Sequence, residues 1–116
     1  MPPTWIAEEP AVFVFAHGER VAGRIAIAMP EATPDGDSVC TVDIDGLTHG
    51  PRVIFGESTL QALCLAMRFA GFLLHDFRRR GGRVLGPDGE ELALHALFGP
   101  LLCAPPPAAD DSASDT

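Results

Sequence analysis

The sequence predicts an α+β domain: a four- to five-stranded antiparallel meander with one long helix packed across one face. Three observations lead there. Residues 11–56 alternate apolar and polar side chains in short runs broken by turn residues. Residues 57–82 form one long apolar stretch that opens and closes on helix signals. And 116 residues suffice for one domain with a modest core. That domain is expected to span 1–103, followed by a disordered, proline-rich and acidic tail over 104–116.

The first strand is "AVFVFAH" (11–17), with Phe13 and Phe15 on one face and Val12 and Val14 on the other. Gly18-Glu19 turns the chain into "RVAGRIAIAMP" (20–30), whose Val21, Ile25, Ile27 and Met29 share a face. Pro30 ends that strand because it has no N–H for a ladder. Pro34-Asp35-Gly36 marks a turn. In "VCTVDIDG" (39–46), Cys40, Val42 and Ile44 point inward, while Thr41, Asp43 and Asp45 face water. "GPRVIFG" (50–56) supplies a fourth strand. The helix follows, with Ser58 as N-cap, Gln61 completing a capping box, and Gly81-Gly82 as its left-handed stop. Arg83–Leu85 suits a fifth strand, whereas Leu92–Phe98 fits a strand or a short helix equally well.

The helix carries an unusual surplus of apolar surface. Gln61, Arg68 and His75 lie seven apart and form one polar stripe, which Arg79 extends. Leu60, Leu63, Met67, Ala70 and Leu74 form one apolar face; Ala62, Leu65, Ala66, Phe69, Phe72 and Leu73 form another. A sheet covers one face of such a helix, and something else must cover the other. Residues 92–103 folding back, a second copy of the chain, or a different protein could each do so. A membrane span is not expected, because Arg68 interrupts the run and an arginine at mid-bilayer costs about 2.5–3.5 kcal/mol.

The formal net charge is −8. That disfavours nucleic acid, whose binding rests on cationic contacts to phosphate. It suits a basic protein partner, met by an acidic patch of Asp35, Asp37, Asp43 and Asp45. Three cysteines, Cys40, Cys64 and Cys103, are too few and too scattered for a disulfide framework or a zinc clip, so free thiols in a reducing cytoplasm are expected. Cys64 reads as a core residue.

No residue set spells out a reaction. Asp43-Ile44-Asp45-Gly46 starts like a calcium loop, but Leu47, Thr48 and His49 do not continue it. Ser58 has no G-x-S-x-G surround, and the capping box already accounts for it. Arg78–Arg80 complement the helix dipole. No enzyme, metal or cofactor is expected, and a non-catalytic, protein-binding role follows.

The stretch Phe55-Gly56-Glu57-Ser58-Thr59-Leu60-Gln61-Ala62-Leu63-Cys64-Leu65-Ala66-Met67 resembles a pattern of small bacterial proteins of unassigned function. In them a strand meander precedes "F-G-x-(D/E)-S-x-Q-A-L-x-L-A-(L/M)" at the start of a long helix. The likeness runs roughly from Trp5 to Leu85 and implies the same fold, without any catalytic residue to carry over. In size and style these proteins are similar to the acidic gene-neighbour proteins that include toxin immunity proteins. The expected role is therefore an inhibitor or immunity-type protein that masks a partner encoded by a neighbouring gene, through the four aspartates or through Leu65, Phe69 and Phe72. A homodimeric accessory subunit joined by those three helix residues is the first alternative, and a small-molecule-binding domain the second.

Overall fold

The computed structural model describes residues 3–99. The expected tail at 104–116, and Leu101, Leu102 and Cys103, lie outside the described residues. The chain runs β1 (Trp5–Val14), β2 (Arg20–Ala28), β3 (Glu31–Ala32), β4 (Ser38–Asp45), β5 (Arg52–Gly56), α1 (Thr59–Arg79), β6 (Arg83–Leu85) and α2 (Leu94–Phe98). It is an α+β fold: one curled antiparallel sheet with a long helix against it.

The meander β1-β2-β4-β5 pairs in sequence order, and β6 returns to the far side of β1. The two-residue β3 continues the line of β2 along β4. Ile27 lies opposite Val42 and Glu31 opposite Val39, so β2–β3 takes four steps where β4 takes three. The extra residue falls at Met29–Pro30, where proline has no N–H to lose and a bulge absorbs it. Pro10 is tolerated inside β1 for a related reason. β6 pairs β1 only at Val12–Val14, so at Pro10 the strand has β2 alone as neighbour.

Across the sheet the order is β6-β1-β2-β4-β5. The strand alternation sends Phe13, Ile25, Ile27, Cys40, Val42, Ile44 and Val84 into one buried cluster. Helix α1 leaves one edge at β5 and delivers the chain to β6 at the other. Its 21 residues make a rod of about 31 Å, more than enough to cross four inter-strand gaps of about 4.8 Å.

Both helix ends obey the local chemistry. The Gln61 N–H donates to Ser58 Oγ at 3.0 Å, and Gln61 Oε1 accepts from the Glu57 N–H. At the far end the Gly82 N–H donates to Phe77 O and the Gly81 N–H to Arg78 O, with Gly81 at φ +97°. That pairing is a Schellman stop, which only a residue at ease in the left-handed region permits.

The sheet does not take either of the two expected helix faces whole. The buried seam is Ala62, Ala66, Ala70, Leu74 and Phe77, which runs between them. Small side chains at four-residue spacing let the helix backbone settle close to the strands. Leu63, Met67, Phe69 and Leu73 flank the seam, half-buried against the core. Leu60, in the first turn, is 69% exposed. Cys64 also departs from expectation: it points outward and is exposed, while Cys40 is the buried thiol. Within the expected Leu92–Phe98 element, residues Leu94–Phe98 form the short helix α2, whose Leu94 and Phe98 join the core beside α1.

Candidate functional site

The two edges of the sheet are treated differently by the chain. Beyond β6, the segment after the 86–90 turn comes back alongside: the Leu92 N–H donates to Val84 O at 2.9 Å and the Gly86 N–H to Glu90 O at 2.7 Å. Arg83 adds an ion pair to Glu91 at 3.2 Å. The β5 edge has no such cover: among the described residues, β5 pairs only with β4. Its alternation turns Ile54 to the core and leaves Val53 51% and Phe55 62% exposed. An apolar strand with a free backbone edge is a template for pairing with another chain.

One flank of α1 extends this surface. Met67 lies with Phe98 of α2 above Ile25 and Ile27. Residue 69 is turned about 200° from residue 67 around the axis. Leu73 and Asp76, on that opposite side, share a cleft with Arg52 of β5 and Leu47. The flank facing the open edge is therefore built from Leu65, Phe69, Phe72 and Leu73. Phe69 and Leu73 touch the core, and Leu65 and Phe72 stand half-exposed farther out. α2 covers the other flank, so it does not hide these residues.

The four aspartates are not gathered into one patch. Asp35 and Asp37 occupy the β3–β4 turn, whereas Asp45 ends β4, eight residues and roughly 26 Å away. Asp43 lies on the sheet face away from α1, with its carboxylate 3.7 Å from Arg24. Arg24 also pairs with Glu8 at 2.6 Å and stacks over Trp5 at 4.7 Å, so Asp43 belongs to a cluster that clothes this face. The Thr33 hydroxyl donates to Asp35 and, with a backbone N–H, holds its carboxyl below the ordinary range. The aspartates and the apolar helix residues thus lie on separate surfaces. Val53 and Phe55 were not foreseen as site residues, although an uncharged "VIF" run on a last meander strand was a usable signal.

Two clefts adjoin these elements. One of about 420 Å³ lies at the C-terminal end of α1, between Phe15, His17, Leu47, Arg52, Leu73 and Asp76. Asp76 is held there by Arg79 at 2.9 Å and Arg80 at 2.8 Å, and His17 sits 3.3 Å from Glu19. The other, about 140 Å³, is the seam between α2 and β1–β2. Neither brings a nucleophile to a base. Among the described residues no three His, Cys, Asp or Glu side chains are placed to hold a metal. Helix α1 is long and apolar enough to cross a membrane by length and composition; in this fold its alanine seam lies on the sheet.

No family model, curated protein or solved structure matches the chain. Set against the small-protein pattern it resembles, the capping serine, Ser58, falls where that pattern has an acid, and Thr59 where it has serine.

Proposed function

We propose that this chain is a non-catalytic protein-binding domain that engages another polypeptide through the β5 edge and the adjoining flank of α1. The observation that supports the reading is the open edge itself, with Val53 and Phe55 more than half exposed beside a backbone that pairs, among the described residues, only with β4. Burying a side chain of that size contributes about 1.5–3 kcal/mol, and the backbone edge adds hydrogen bonds of fixed direction. An inhibitor or immunity-type role is the concrete version: a rigid small domain that occupies a partner's surface. The four aspartates drop out as a single contact surface because the fold separates them.

A photo-crosslinking amino acid placed at position 55 of the full chain, in the cells that make it, tests this. Crosslinks from 55 to one defined polypeptide, with none from an exposed apolar control at Leu97 (46% exposed), support the reading. The same weak, diffuse products from both positions overturn it.

A further inference from the structure

We infer that the polypeptide taken up by the β5 edge is a second copy of this chain, paired antiparallel through β5 about a two-fold axis; the inference rests on the reading of that edge as a docking surface. Three features carry it: the strand's self-complementarity, the position of the helix flank, and the distribution of charge.

Centre the two-fold on Ile54, perpendicular to the sheet. Val53 then lies opposite Phe55 of the second copy, and Phe55 opposite its Val53, so both exposed apolar residues gain a partner on one face. Arg52 lies opposite Gly56 of the second copy, so no like charges meet across the new ladder. Each copy brings five strands across, and the joined sheet has no open edge at its centre. The two α1 helices end on the same face of that sheet. Their Leu65–Phe72 flanks turn toward each other over the seam, which gives the second helix face a covering that α2 does not supply.

The charges run along the strand direction. The strand registers put the starts of β2 and β6 at one end of the molecule, whereas Arg52, at the start of β5, stands opposite Val42 and so level with Ile27 near the end of β2. Arg20 and Arg83 lie at that end, with Arg78, Arg79 and Arg80 directly before β6, five of the eight cations in the chain. The acids at that end are Glu19, Asp76 and Glu91, the last paired with Arg83, while Asp45 stands opposite Arg24 at mid-strand. The opposite end carries Glu31, Asp35, Asp37 and Glu57 and no arginine, with Arg24 and Arg68 at mid-element. An antiparallel β5 pair sets Arg52 of each copy beside the acidic end of the other, twice. Glu57 of one copy then falls next to Arg52 of the second. A parallel or head-to-head arrangement would oppose like ends.

The test is sedimentation equilibrium on the full chain over a wide concentration range, with circular dichroism to confirm folding. The mass should rise to twice 12.3 kDa. Phe55→Glu should raise the dimer dissociation constant about tenfold or more, since it removes one buried ring per copy. Val53→Glu serves if that variant does not fold. Arg52→Glu and Glu57→Arg should each weaken the dimer, and the double swap should recover most of the loss. A dimer indifferent to all these changes overturns the placement on β5. A monomer throughout, with position 55 crosslinked to a different polypeptide, overturns the second copy but keeps the docking surface. A monomer without a defined crosslink at 55 overturns both.

Discussion

Replacing Gly56 with alanine probes the joint on which the candidate surface is hung. Gly56 ends β5, and the first turn of α1 crosses directly over it. A Cβ added there would sit 2.6 Å from Ala62 N, 2.8 Å from Ala62 Cα and 3.1 Å from Gln61 C. These are helix backbone atoms, so no side chain can swing aside. Ordinary contact begins at 3.4 Å, so strand and helix must part by 0.6–0.8 Å (3.4 − 2.8 and 3.4 − 2.6). Overpacking of this kind costs about 1–3 kcal/mol. Alanine also restricts the unfolded chain, which offsets about 0.4–1 kcal/mol of that loss. The net expectation is a destabilisation of about 1–2 kcal/mol. For a domain of this size that lowers the melting temperature by roughly 4–16 °C. Thermal and urea unfolding followed by far-UV circular dichroism, at one fixed protein concentration, reads it directly. Leu60→Ala, at a side chain 69% exposed, is the control and should stay within about 0.5 kcal/mol. A Gly56→Ala protein as stable as its parent would show that β5 and α1 are not in close contact, and the continuous surface built from them would fail with it.

Two further predictions concern single groups. Cys64 should label rapidly with a maleimide in the folded protein, whereas Cys40 should resist until the chain unfolds. Cys40 is buried, desolvation pushes its thiol up, and its S–H donates to Ala28 O at 3.3 Å. Peptide mapping separates the two from Cys103, and equal rates at Cys40 and Cys64 would refute the placing of Cys40 in the core under β4 and of Cys64 on the outer side of α1. Asp35 should titrate below its ordinary value of 3.8, first because of the Thr33 hydroxyl and then the backbone N–H. A folded-state value held below the unfolded one contributes stability above the unfolded pKa, and that contribution disappears as pH falls through the lowered one. The carboxyl is fully exposed, so the effect is to be read as an NMR titration midpoint. Thr33→Val should move that midpoint up, and an unmoved midpoint would remove the hydroxyl as its cause.

Strands β2 and β4 were legible because each has one wet and one dry face, whereas the two-residue β3 falls in a stretch that reads as a polar loop. Ile25 and Ile27, and Cys40, Val42 and Ile44, bury on the period-two pattern their sequence shows. Both ends of α1 were legible from single residues, Ser58 with Gln61 and Gly81 with Gly82. The start of β1 was not, since "WIAEEP" reads as polar and contains a proline. Glu8 lies on the sheet face that no helix covers, Glu9 lines the cleft beside α2, and Pro10 sits where β1 lacks a second neighbour. The sheet-facing side of α1 was illegible for the opposite reason. With apolar residues nearly all round, periodicity cannot choose a face. The choice fell to side-chain size, because the alanines at 62, 66 and 70 allow the approach that Gly56 also permits. The four aspartates were rightly placed in turns and on an outward strand face, but which of them meet depends on the length and direction of β4, which no local pattern encodes.

The contrast between the two sheet edges is the strongest argument that the β5 edge has a use. Monomeric sheet proteins protect an edge with charge, proline, a bulge or a covering segment. This chain uses such devices elsewhere. The β6 edge is overlaid by the return through Glu90–Leu92 and flanked by the Arg83–Glu91 pair. The β2–β3 line is bulged at Pro30, although β4 already covers it. On β5 they stop short: Pro51 and Arg52 guard its first step, and Val53-Ile54-Phe55 carries nothing. A single lysine at position 53 or 55 would have closed the edge at no cost to the core, since neither side chain faces it. A chain with eight arginines and no lysine, five of them collected at one end and Arg52 at the start of β5, has its charge distributed in a way that steers what approaches this strand and leaves the strand itself open.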